Sequence, residues 1–228
     1  MVGAAIGVPL FLLWQGIFGS FLFTFSIPLI WQVGVRGEPV GTLGLRKKSL
    51  WPSVITGIIA GVIIAVISGQ LLRILGIKGV ALSDAQKLEL PLGFFTLSFP
   101  LQEELSYVLL TRSNSLRGVI LYLFSSAFLI GLGEELFWRG FIQQKFTRRF
   151  SKNRGIWITA LLFGLTHFYV FTILSVKEGI MVMAAVAIIG AIWGYLFARF
   201  NNIWGPALCH GIVAFTVWKY YFFLLVLK

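Results

Sequence analysis

The stretch Gly131-Leu132-Gly133-Glu134-Glu135-Leu136-Phe137-Trp138-Arg139-Gly140 sets two adjacent carboxylates and an arginine at the end of an apolar run that is uncharged from Gly118. Ionised groups at membrane depth are costly and persist where they face a bundle interior or a wet cavity. On a helix, Glu135 and Arg139 stand four apart on one face, with the acid N-terminal to the base, the favourable order for an ion pair. Glu134 lies about 100° further round, and Phe137 and Trp138 fill its i+3 and i+4 positions. The reading is a structural clamp, Glu135–Arg139, beside one carboxyl without a local partner, Glu134. A desolvated carboxyl of that kind suits general acid–base work. The plainer alternative has both glutamates reaching interfacial water at a helix end.

Composition sets the class around this stretch. The 228-residue chain is 58% hydrophobic and only 12% charged, with a mean hydropathy of +0.90, far from the soluble range. Several uncharged runs reach the roughly 20 residues needed to cross a bilayer. The expectation is an all-α, polytopic transmembrane bundle of about six spans, six to eight in all, forming one integral membrane domain over 1–228. A β-barrel would alternate in short segments, which this chain does not. The net charge is +11, but the cations cluster in short loops between apolar runs. That pattern is a topogenic signal for the cytoplasmic side and argues against nucleic-acid binding. Cys209 is the single cysteine, so no intrachain disulfide or CxxC metal site is available. Met1 to Val35 holds no Lys or Arg, so no cleavable signal of the usual kind is expected.

Taken in order, the first span is expected within Val8 to Val33, with Pro9 and Pro28 marking or kinking it. Arg36 to Lys48 is a Gly/Pro-punctuated basic loop. A second span, about Trp51 to Leu72, carries Gly57-x-x-x-Gly61, a small-residue seam of a kind that is common by chance. Ile77 to Glu89 reads as a connector, and Pro91 to Leu110 as interfacial or re-entrant. Its Glu103-Glu104 pair has Val108, not arginine, four residues beyond Glu104. Leu116 to Gln144 is the key helix and empties into Lys145, Arg148, Arg149, Lys152 and Arg154. Gly155 to Val176, Gly179 to Ala198 (with Gly190-x-x-x-Gly194) and about Trp204 to Leu227 complete the spans. Six spans place both basic loops and Arg199 in the cytoplasm. Glu134, His167 and His210 then fall at similar depths, and one cavity open to the cytoplasmic side is expected to gather them.

Both histidines of the chain, His167 and His210, lie in apolar runs. Phe163 shares a helix face with His167 and can wall its pocket. An unpaired glutamate with two imidazoles suits attack of water on a carbonyl: Glu134 as base, His167 holding the water, His210 donating to the oxyanion or leaving amine. Cys209 adjoins His210 in sequence and so points elsewhere. Glu134, His167 and His210 are also a zinc inventory, yet H-E-x-x-H is absent, so metal-free chemistry is expected, with zinc as the alternative.

Glu134-Glu135-x-x-x-Arg139-Gly140, Phe163-x-x-x-His167 and a C-terminal His210 together resemble the CPBP family of intramembrane proteases, which includes the type II CAAX prenyl proteases and bacteriocin-processing and immunity proteins. The likeness covers roughly 118–215. It implies a helical fold with a membrane cavity and a glutamate-activated water. By the resemblance, Glu134 is the base, His167 positions water, His210 serves the oxyanion, and Glu135 and Arg139 support them. The family's third motif reads His-x-x-x-Asn, whereas Ala214 stands fourth after His210 here. The expected activity is cleavage of a peptide or protein, lipidated or not, at the lipid bilayer of the cell membrane. The rivals are a catalytically impaired adaptor or immunity protein and a proton-coupled transporter using the same three residues.

Overall fold

The computed structural model describes residues 24–75, 88–91, 96–99, 131–172 and 174–217. The bundle is helical. α1 (Thr24–Val35) passes Pro28 and widens into a π-turn from Leu29, as suits a residue with no N–H to donate. α2 is Leu50–Ile74. α3 spans 131–149, with π geometry over Leu136–Gln143 and an α-helical end at Gln144–Arg149. α4 is Lys152–Leu165, α5 Val176–Phe200 and α6 Trp204–Thr216. One exception to the helical expectation is a short antiparallel hairpin, β1 (Leu88–Pro91) on β2 (Thr96–Phe99), pairing Leu88 with Phe99. It falls where the connector meets the segment read as re-entrant. The rest of that segment, the first part of the first span, residues 116–130 of the key helix and the end of the last span lie outside the described residues.

α2 and α5 are each long and apolar enough to cross a bilayer, with mean hydropathy 2.3. α2 exposes Ile58, Ile59, Val62, Ile63, Val66 and Ile67, the lipid-ready face of a membrane helix. Its other face carries the small-residue seam, and α6 lies along it. A Cβ on Gly57 would strike the backbone of Gly205, and one on Gly61 would come within 3.1 Å of Cys209 Cα. Small residues let these two backbones touch. Ser53 Oγ accepts from the Gly205 amide at 3.1 Å in the same contact.

α4 is shorter than the uncharged run from Gly155 to Val176 suggests. It ends at Leu165 and tightens into a 3₁₀ turn, Thr166–Thr172, in which His167 leaves helical geometry (φ −86°, ψ 15°). Thr166 Oγ1 donates to the Phe163 carbonyl at 2.7 Å and His167 Nδ1 does so at 2.9 Å. Side chains thus take the carbonyl that a continuing helix would offer to the amide of residue 167. α5 starts afresh with a capping box, Ser175 with Glu178.

The basic loop between α1 and α2 is tied across the bundle end. Gln144 Nε2 donates to Thr42 O, and Asn202 Nδ2 donates to Arg46 O and Lys48 O. Leu43 is fully buried against Gly140, where a Cβ would lie 2.6 Å from the Leu43 carbonyl oxygen. Tyr195 Oη reaches Asn153 Oδ1 near the start of α4. The loop 36–48, the 145–154 segment and the turn after Arg199 therefore share one end of the bundle.

Candidate active site

Glu135 and Arg139 form an ion pair at 2.7 Å, both side chains fully buried. Four residues apart on α3, they meet as i,i+4 partners. Arg139 is held further by Nη2 donating to Gly190 O at 2.8 Å, and its guanidinium lies 4.8 Å from the Phe163 ring and 5.3 Å from Trp193. The seam Gly190-x-x-x-Gly194 therefore admits side chains, whereas the α2 seam admits a helix. Gln143, one turn on from Arg139, donates to Gly194 O at 3.0 Å. Two donors four apart on α3 reach two carbonyls four apart on α5.

His210 on α6 completes the cluster. Its Nδ1 donates to Glu135 Oε1 at 3.0 Å, and its Nε2 stands 3.9 Å from Glu134 Oε2. The second distance exceeds a hydrogen bond and leaves room for an intervening atom. Glu134 keeps about a fifth of its side chain exposed (21%), unlike Glu135 (0%). The Trp193 ring stacks on His210 at 4.1 Å and 19°, and its Nε1 donates to Cys209 Sγ at 3.1 Å. Cys209 is fully buried and engaged with Trp193, not with His210. Phe163 packs edge-on against His167 (4.9 Å) and His210 (5.9 Å), bridging the two imidazoles.

Sequence spacing did not point to Trp193 or Gln143 as parts of the site. The Gly190/Gly194 repeat, matched to Arg139 and its i+4 neighbour, was the available signal for Gln143. Glu135 Oε2 and Arg139 Nε, both buried, have no hydrogen-bond partner among the described residues.

A cavity of about 170 Å³ adjoins the cluster, with His167, His210, Phe163, Trp193 and Ala214 on its wall. Two departures from expectation appear here. Glu134 is not on that wall and meets the site through His210. Among the described residues the cavity wall also runs not toward the basic end but along Ser68, Leu71 and Leu75 of α2 and Met181 of α5. Counting residues from the basic loop fixed depth, but not the side toward which the space extends. On the basic side the buried Glu135, Arg139, Gln143 and Leu43 fill the bundle.

Thr216, two residues beyond Ala214 on α6, donates its hydroxyl to Ile212 O at 2.7 Å. Among the described residues, no group of three or more His, Cys, Asp or Glu side chains is arranged to hold a metal ion.

A helical membrane protein with a buried carboxylate–guanidinium–imidazole array is the class that this fold and site define. Residues 116–216 match the family model of type II CAAX prenyl endopeptidase Rce1-like proteins, which supports the resemblance to the CPBP/CAAX proteases. Neither curated proteins nor solved structures gave a match. Members of the family are membrane proteins and its activity is proteolytic, in keeping with the apolar helices α2 and α5.

Proposed function

We propose that the chain is a multi-pass intramembrane endopeptidase of about six spans, cutting a membrane-embedded or membrane-proximal peptide with a water activated by Glu134. The observation that carries this reading is His210 held between two carboxylates, Glu135 at 3.0 Å on Nδ1 and Glu134 at 3.9 Å from Nε2. Glu134 takes a proton from water, and the hydroxide attacks the scissile carbonyl carbon. His210 Nε2 donates to the resulting oxyanion. With Nδ1 committed to Glu135, Nε2 is the ring nitrogen left to serve the oxyanion. Glu134 then returns the proton to the amine nitrogen as the C–N bond breaks. His167, its Nδ1 fixed on the Phe163 carbonyl, presents Nε2 to the water. The chemistry needs no metal. If zinc is used instead, Glu134, His167 and His210 are its ligands.

One observation favours a second reading. Ala214 stands on the cavity wall where the family carries a donor, and Thr216 is turned to its own helix. Losing one oxyanion donor typically costs about 10²–10³ in rate, which suits an impaired adaptor or immunity protein. Membrane peptide termini compared between cells holding wild type, Glu134→Gln and no protein separate the two. A protease loses its product termini in Glu134→Gln at unchanged abundance, by about 10²–10⁴ in rate. An adaptor keeps its phenotype. With cleavage in hand, dialysis against a chelator is expected to leave it intact.

A further inference from the structure

The loop 36–48 and the 145–154 segment share one end of the bundle and are strongly basic. Among the described residues Glu38 is the one acid in these two segments. It is already engaged, pairing with Arg36 Nη2 at 3.0 Å and accepting from Gln32 Nε2. Exposed cations standing apart are screened by water and salt, but Lys145 and Arg36 are placed differently. The Lys145 ammonium lies 3.5 Å from the Phe141 ring centroid and 5.8 Å from that of Trp31, so a cation of α3 is set against the end of α1. The Arg36 amide donates to Trp31 O at 3.0 Å, which fixes Arg36 just beyond the indole. Partial desolvation, and after it the like charge of Arg36, holds the Lys145 ammonium below its usual pKa. Among the described residues no carboxylate pairs with Lys145, and the Arg36 side chain keeps about half of its surface exposed (48%).

Two like charges beside one indole call for an anion, and the neighbouring surface says which kind. Ile30, Trp31, Val33 and Val35 are exposed on α1 immediately before Arg36, so an apolar strip runs straight into the cations. A free phosphate would use the cations alone, whereas a phospholipid uses the cations and the strip. Tryptophan is at home at the headgroup level of a bilayer, and basic side chains next to a span attract anionic lipids. We propose that Arg36, Lys145 and Trp31 form a site for the headgroup of an anionic phospholipid, whose acyl chains lie along the exposed apolar residues of α1. Gln144, next to Lys145, donates to Thr42 O at 2.6 Å. A headgroup held by both cations therefore braces the loop 36–48 against α3. The site lies apart from the cluster around Glu134 and does not depend on the protease reading.

The test uses the purified full chain in detergent micelles doped with phosphatidylglycerol or phosphatidylcholine. Retained lipid is counted by native mass spectrometry, and melting is followed against each variant's own phosphatidylcholine baseline. Wild type is expected to retain phosphatidylglycerol over phosphatidylcholine and to melt higher with it. Arg36→Gln with Lys145→Gln should lose that preference on the order of 20-fold, at about fivefold per cation. Arg148→Gln with Arg149→Gln removes the same charge from exposed positions further along α3 and should keep the preference. Equal retention of the two lipids by wild type overturns the proposal. So does an equal loss in both double variants, which would show diffuse charge and no site. A rise in melting temperature with inorganic phosphate as large as that with phosphatidylglycerol would show a free-anion site and overturn it as well.

Discussion

Removing the Arg139 charge should destabilise the protein, and removing Glu135 with it should restore stability but not cleavage. In Arg139→Met, Glu135 is left at 0% exposure with His210 Nδ1 as its remaining partner. Breaking one side of such a buried pair costs about 3–5 kcal/mol. For a chain of this size that corresponds to a fall in melting temperature of roughly 6–20 °C, at about 2–4 °C per kcal/mol. Glu135→Gln, which strands Arg139 but keeps one acceptor oxygen, should fall at the lower end. The double variant, Arg139→Met with Glu135→Gln, removes both charges and the orphaned Arg139 Nε. Replacing a buried pair by neutral groups of similar size is often close to neutral, so most of the loss should return. Thermal unfolding in detergent micelles reads this, and cleavage in proteoliposomes reads the other half. His210 would still lack a charged acceptor on Nδ1, so kcat should stay low in the double variant. Single variants that melt like wild type would refute the buried-clamp reading. Full recovery of cleavage in the double variant would refute the role given to Glu135 in orienting His210.

Trp193→Ala removes the plate stacked on His210 and should lower kcat on the order of 10²-fold, the scale of a small misplacement of a catalytic group, with KM little changed. Trp193→Phe keeps the plate but loses the Cys209 anchor, and should recover most of the rate. Ala214→Asn puts a donor on the cavity wall beside His210 and should raise turnover by up to about 10²–10³. A fall in rate there would show that the wall is already fitted to its substrate.

The parts of this site that sequence could reveal are local. Glu135 with Arg139, and Phe163 with His167, follow from helical spacing, and the end of an apolar run shows where charge enters the bundle. The contact of His210 with Glu135 joins residues 75 apart, and those of Arg139 and Gln143 with α5 span 51. Periodicity within one helix carries no information about such partners. The early end of α4 was hidden for another reason. Hydropathy continues through Val176 while Thr166 and His167 compete for the Phe163 carbonyl, and hydropathy does not register hydrogen-bond competition. The two glycine repeats looked alike in sequence, yet one meets the backbone of α6 and the other a guanidinium and an amide. The space opposite a small residue is set by the neighbour, which spacing alone does not name.

The paired donors of Arg139 and Gln143 work like a key with two teeth. A slide of α3 along α5 by a single residue, about 1.5 Å, would pull both from the Gly190 and Gly194 carbonyls at once. Because the teeth disengage only together, the two helices are held in one register and the glutamates at one depth.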